Sequence, residues 1–125
     1  MAVALSGFVL SRSCRPLADA VVDLWHADDA GEYDNRGFRL RGFVRTDAQG
    51  RYAFRTIRPG NYPGRVRHFH MKVQAPGSAL LTTQLYFPGE PGNARDGLFR
   101  KELLLKTAKL ADGLAARFDF VVDLR

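Results

Sequence analysis

The sequence predicts an all-β domain, an antiparallel β-sandwich with little helix. Three observations carry this. Short runs of alternating apolar and polar residues recur along the chain, and turn-forming residues divide them at roughly even spacing. Only one stretch, residues 98–117, holds enough helix-forming residues to compete with that pattern. The 125 residues fit a single domain, 1–125, built around one core.

The elements follow in order. VALSGFVL (3–10) alternates and forms a first strand, and SRSCRPLAD (11–19) turns the chain with Pro16 confined to the loop. AVVDLWHA (20–27) is a second strand, with Val21, Asp23 and Trp25 on one face and Val22, Leu24 and His26 on the other. A long polar stretch follows, DDAGEYDNRGFRLRG. FVRTDAQGRYAFRTI (43–57) has the pattern of a hairpin turning at DAQG, with Tyr52 and Phe54 on one face. Two prolines and two glycines make RPGNYPGR (58–65) a loop. RHFHMKVQA and LTTQLYF are strands, and PGEPGNARDG is a loop. For the ambiguous tail we expect a short helical turn near Leu98, a strand over 103–105 and a final strand over 117–124.

Composition narrows the function. No apolar run approaches the roughly 20 residues of a spanning helix, so no membrane role is expected. MAVALSGFVL lacks a basic n-region and reads as a strand, not a signal peptide. Cys14 is the sole cysteine, which excludes an internal disulfide and makes the reducing cytoplasm the expected compartment. The net charge is +6, but Arg and Lys are scattered, with no run of five and no nucleic-acid motif, so nucleic-acid binding is not expected.

The chemistry concentrates in YPGRVRHFHMKV (62–73). In a strand, His68 and His70 project from one face about 7 Å apart along the backbone, while Phe69, Met71 and Val73 take the core face. Such a pair is a metal platform, a catalytic pair or two polar residues of a half-buried strand. Two glycine-flanked loop tyrosines, Tyr33 in GEYDN and Tyr62 in GNYPG, are candidate hard ligands. His26 is a possible third imidazole, but its place in DLWHAD suits a strand-end residue better.

Together, G-x-Y, TD-x-x-G-x-Y-x-F-x-T-I-x-P-G-x-Y-P, H-x-H and TQLYF make a specific pattern covering most of the chain. It resembles the catalytic domain of the intradiol ring-cleavage dioxygenases, the family of catechol, hydroxyquinol and protocatechuate dioxygenases. The resemblance implies a transthyretin-like sandwich core. It implies non-haem Fe(III) as cofactor, held by two tyrosinates and two histidines at Tyr33, Tyr62, His68 and His70. Phenolate is a hard, strongly donating ligand suited to a ferric ion. Arg65, three residues before His68, matches an arginine that stabilises negative charge on the bound catecholate, with Arg67 as its competitor. Gln84 matches a glutamine facing the site, and Tyr62 matches the ligand that leaves the metal and takes a substrate proton. Trp25 and Tyr86 read as packing residues, though either would serve as a pocket wall.

The implied reaction inserts both atoms of O2 into a catechol and cuts between the hydroxyl-bearing carbons, giving a cis,cis-muconate-type diacid. Its partners are a small catechol and O2, with no nicotinamide or flavin. The sequence departs from the family in starting at the first sandwich strand, without the usual N-terminal segment, and in the short Tyr62–His68 spacing. Both suggest a more open pocket, and a small homo-oligomer is expected to cover apolar surface. The alternatives are a metal-free transthyretin-like spacer or binding module, whose strand pattern overlaps this one, and a histidine-based zinc or copper site.

Overall fold

The computed structural model describes residues 1–31, 40–61 and 65–124. Among these, nine strands form two sheets: β1 (Ala2–Ser11), β2 (Val21–Trp25), β3 (Arg41–Arg45), β4 (Arg51–Ile57), β5 (His68–Gln74), β6 (Leu81–Tyr86), β7 (Lys106–Leu110), β8 (Gly113–Arg117) and β9 (Phe120–Val122). One sheet runs β4-β1-β8-β7 with β9 also on β1; the other runs β3-β2-β5-β6. The only helical pieces among the described residues are two 3₁₀ turns, Pro91–Arg95 and Lys101–Leu103. The expected sandwich is present. Most pairings are antiparallel, but β1 pairs with β8 and β9 in parallel.

Period-two alternation places the core. In β1 the odd-numbered residues are buried, with Val3, Leu5 and Val9 turned inward. Val22 and Leu24 of β2, Phe69, Met71 and Val73 of β5, and Phe120 and Val122 of β9 meet them in one cluster. Tyr52 joins from β4, its hydroxyl donating to the Phe118 carbonyl at 2.6 Å. The core is therefore shared by both sheets, and β5 turns its other face, with His70, away from it.

Gly7 has a steric role. β8 pairs with residues 2–6 of β1 and β9 with residues 9–11, so the chain at 118–119 crosses at Gly7. The Phe118 amide donates to the Ser6 carbonyl and the Phe8 amide to Asp119 Oδ1. A Cβ on Gly7 would lie 1.9 Å from the Phe118 carbonyl oxygen. Gly7→Ala is expected to force these strands apart and cost about 1–3 kcal/mol as an overpacking mutation. A denaturant midpoint equal to wild type would show that the crossing relaxes freely.

Two expectations require correction. The stretch 43–57 is not a hairpin. Its arms, β3 and β4, belong to different sheets. The DAQG turn forms, with Asp47 Oδ1 accepting from the Gln49 and Arg51 amides, but it arches over the core. Thr46 accounts for this: its Oγ1 accepts from the Ala20 amide at 2.9 Å and donates to the Leu17 carbonyl at 2.6 Å, tying β3 to the β1–β2 connection. β4 then pairs with β1, where Leu5 faces Phe54. An arch and a hairpin both turn alternate residues inward, so alternation alone does not separate them.

The tail is also different. Residues 101–103 form a 3₁₀ turn where a strand over 103–105 was expected, and Leu104 makes a single bridge to Tyr86. The helix-forming run 106–117 is the β7–β8 hairpin, closed at Ala111–Asp112, and only 120–122 of the expected final strand is regular. The open edge of β1 recruits β8, and pairing overrides the helical propensity of Lys, Leu and Ala.

Candidate metal centre and its polar network

The sheet register builds the site. Across β2, β5 and β6, Trp25 pairs with His70 and His70 with Gln84; one row further along, His68 pairs with Tyr86. Cross-strand partners share a face, so these side chains gather on the outer surface of the second sheet, opposite Phe69 and Met71. Both histidines open β5, which places the site at the end where the chain enters that strand. His68 is nonetheless only 1% exposed. Its neighbour Tyr86 is covered by the segment after β6, whose Phe99 ring packs edge-on against it at 5.1 Å and which carries the buried Asp96.

The two imidazoles converge, with Nε2 of His68 3.1 Å from Nε2 of His70. Nδ1 of His68 lies 2.8 Å from the Val66 carbonyl, which can only accept. Nδ1 therefore carries the proton, and Nε2 presents its lone pair. Burial, opposed by that bond and joined by the charge of Arg65, lowers the His68 pKa. Burial first, then His68, Arg65 and His26, lower that of His70 to about 4. Both rings are thus neutral at pH 7, the form that binds a metal. The Trp25 indole stacks parallel to His70 at 4.9 Å, and Lys72 Nζ sits 5.6 Å from the indole centre.

Beside the histidines lies a polar network. Arg65 Nε donates to Asp96 Oδ2 at 2.7 Å. Its Nη2 donates to Gln84 Oε1 at 2.5 Å and to the Tyr86 hydroxyl at 3.3 Å. Tyr86 donates to Gln84 Oε1 at 2.9 Å and lies 3.1 Å from Asp96 Oδ1. The Gln84 amide nitrogen is 3.4 Å from His70 Nδ1, which completes the link from Asp96 to the histidine pair. Burial alone would raise the Asp96 pKa, but donation from Arg65 and from the Leu98 amide, with the Arg65 charge, outweighs it and keeps the carboxylate ionised. Burial, then the neighbouring Asp96 charge, pushes the Tyr86 phenol up to about 12, so it remains a donor.

The sequence-derived candidates therefore divide. His68, His70, Arg65 and Gln84 come together. Tyr33 and Tyr62 lie outside the described residues. Among the described residues no group of three or more His, Cys, Asp or Glu side chains gathers to hold a metal. Arg67 points elsewhere, its Nε 2.9 Å from Glu90 Oε1 and its amide bonded to Asn61. His26 is a buried structural residue, its ring bridging the Ala27 carbonyl at 2.6 Å and Thr56 Oγ1 at 2.7 Å. Sequence reasoning misses Asp96 altogether and takes Tyr86 for packing. The only cue to Asp96 is chemical, since an arginine drawn under cover needs a buried acid, and 31 residues separate the two.

A family model described as Dioxygenase matches residues 1–124. Catechol 1,2-dioxygenase 2 of Acinetobacter lwoffii is 34% identical over 70% of this chain and 40% of its own length. The protocatechuate 3,4-dioxygenase beta chain of Burkholderia cepacia is 35% identical over 98% of this chain and 64% of its own. The chain thus spans roughly half the length of these curated relatives. Among solved structures, the dioxygenase domain of a dioxygenase–carbohydrate-binding protein fusion from the cellulolytic bacterium Streptomyces sp. SirexAA-E superposes with a TM-score of 0.96 at 49% identity, covering 99% of this chain and 80% of that one. The 3-chlorocatechol 1,2-dioxygenase of Rhodococcus opacus 1CP gives a TM-score of 0.88 at 30% identity, covering 99% and 60%. With the family match running through residues 1–124 and the same fold in both structures, the chain belongs to the intradiol ring-cleavage dioxygenases.

Proposed function

We propose that this domain catalyses the Fe(III)-dependent intradiol cleavage of a catechol-type diol by O2 to a cis,cis-muconate-type diacid. The observation that carries the reading is the convergence of two neutral imidazole rings, their Nε2 atoms 3.1 Å apart, beside a half-buried arginine in a chain of this family. That donor pair fits a ferric ion. The tautomer of His68 is fixed by Val66, and burial keeps both rings neutral. His68 and His70 would hold the iron together with Tyr33 and Tyr62, the phenolates supplying the hard oxygen donors. When bound, the iron polarises the diol dianion toward O2.

The remaining chemistry belongs to the chain's own side chains. Tyr62 accepts a proton from the incoming diol. Arg65 offers its guanidinium to the negative charge the diol gains on deprotonation. Gln84, bonded to Arg65 and facing His70, sets the spacing between that cation and the metal ligands. We further propose that the protein works in a reducing cytoplasm as a small homo-oligomer. The exposed Cys14 and the exposed Phe43, Leu98 and Leu110 suit those readings, and sedimentation tests the second.

The test is oxygen uptake with ferric-loaded protein on catechol, hydroxyquinol, protocatechuate and chlorocatechols, with the product identified. We expect a wine-red protein, one O2 consumed per diol and a ring-opened diacid. A protein that binds zinc alone and stays colourless and inactive after ferric reconstitution would overturn the reading. It would leave the spacer-module and zinc-site alternatives.

A further inference from the structure

We propose that Asp96 is the positioning residue of the site, a buried carboxylate that sets where the Arg65 guanidinium points. This rests on the function proposed above for Arg65, but its geometry stands alone. The Asp96 side chain is 1% exposed and that of Arg65 21%. Oδ2 accepts from Arg65 Nε at 2.7 Å and from the Val66 amide at 3.4 Å. One oxygen therefore receives both the side chain of Arg65 and the backbone N–H that follows it, which restricts the torsions between them. Oδ1 accepts from the Leu98 amide at 3.0 Å and lies 3.1 Å from the Tyr86 hydroxyl, so the carboxylate itself is held from the opposite side.

The consequence is directional. A guanidinium is a planar fork, and fixing Nε fixes the plane. With Nε on Asp96, Nη2 falls on Gln84 Oε1, and Gln84 faces His70. The cation is thus delivered next to the metal ligands by an acid from a different loop. Without Asp96 the guanidinium would keep its charge but lose its fixed orientation. An unfixed donor reorganises as charge develops on the substrate, so the loss should fall on turnover more than on binding.

The experiment uses three single variants, Asp96→Asn, Asp96→Glu and Arg65→Ala, one double variant, and two independent readouts. The first is hydrogen exchange at arginine Nε–H, followed by NMR in the metal-free protein. We expect a slowly exchanging Nε–H resonance of Arg65, identified by its absence in Arg65→Ala and distinct from that of Arg67 beside Glu90, that becomes fast in Asp96→Asn and slow again in Asp96→Glu. The second is steady-state kinetics of the iron-loaded enzyme. Asp96→Asn should keep its iron and its KM within about threefold while kcat falls roughly 10- to 100-fold. The double variant Asp96→Asn/Arg65→Ala should be no slower than Arg65→Ala alone, because the acid acts through the arginine.

Full kcat in iron-replete Asp96→Asn would overturn the proposal, as would single-variant losses that multiply in the double. If Asp96→Asn does not fold, the wild-type resonance decides, and fast exchange at Arg65 Nε–H overturns the clamp. A wild type that shows the expected exchange pattern but cleaves no diol supports the clamp and refutes the proposed function instead.

Discussion

His70→Ala is expected to give a folded, colourless protein that holds little iron and cleaves no diol. His70 is only partly buried, so removing its ring costs little core packing. The losses are local: the stack on Trp25, the contact with the Gln84 amide, and one of the two nitrogens that meet at 3.1 Å. A single imidazole cannot make up the pair, and losing one of the four proposed ligands should collapse affinity for the metal. We expect iron below about a tenth of wild-type content, with the visible band gone, and activity down by more than about a thousandfold. Near-ultraviolet circular dichroism should show the sandwich intact. His26→Ala is the matched control. That histidine is buried, with its ring nitrogens on Ala27 and Thr56. It should lose roughly 1–3 kcal/mol of stability yet keep its iron. A full complement of iron and colour in His70→Ala would remove the metal assignment from this strand.

Period-two alternation explains why much of this site is legible in the amino-acid sequence. Once RHFHMKV is read as a strand, Phe69, Met71 and Val73 must face one way and His68 and His70 the other, and the fold buries the three apolar residues fully. Arg65 and Gln84 are found only through the resemblance to the family's motifs; in the fold Gln84 is the cross-strand partner of His70. Asp96 is not legible. Nothing in NARDGL distinguishes an acid that will be buried from one left in solvent, because the distinction depends on a segment folding back onto Tyr86. Tyr86 is half legible: its place on the face of Gln84 follows from the strand, whereas its burial depends on the segment carrying Phe99 and its bond to Gln84 on its neighbours.

The fold shows the same division. Local patterns locate most strand segments, and tertiary pairing decides their partners. DAQG makes the turn its residues demand, but Thr46 decides that the turn leads to the other sheet. Gly7 looks like a weak point in a strand, yet it is the place where Phe118 crosses. The run 106–117 is rich in helix-forming Lys, Leu and Ala, yet it becomes a hairpin because β1 offers an open edge. Propensity is worth tenths of a kcal/mol per residue and yields to a paired, half-buried edge.

Arg65→Ala is expected to keep iron and colour while turnover falls by roughly a hundredfold, about 3 kcal/mol of lost transition-state stabilisation. The side chain sits beside the histidines without being a ligand, so metal content should not change. The substitution also removes the main cationic partner of Asp96, a buried carboxylate, and this adds a stability cost separable from catalysis. Assays well below the unfolding midpoint, normalised to bound iron, keep the two effects apart. Arg65→Lys discriminates further. A single ammonium can reach Asp96 or Gln84, but it cannot reproduce the planar fork that serves Asp96 through Nε and Gln84 through Nη2. We therefore expect it to recover stability better than turnover, regaining no more than about tenfold of the loss. Arg67→Ala is the counter-test, since its Nε lies beside Glu90 and its backbone is tied to Asn61. Its turnover should stay within about twofold of wild type. If Arg67→Ala cripples turnover while Arg65→Ala behaves as wild type, the cation serving the diol reaches it from the Glu90 side, and the Asp96–Arg65–Gln84 network is structural only.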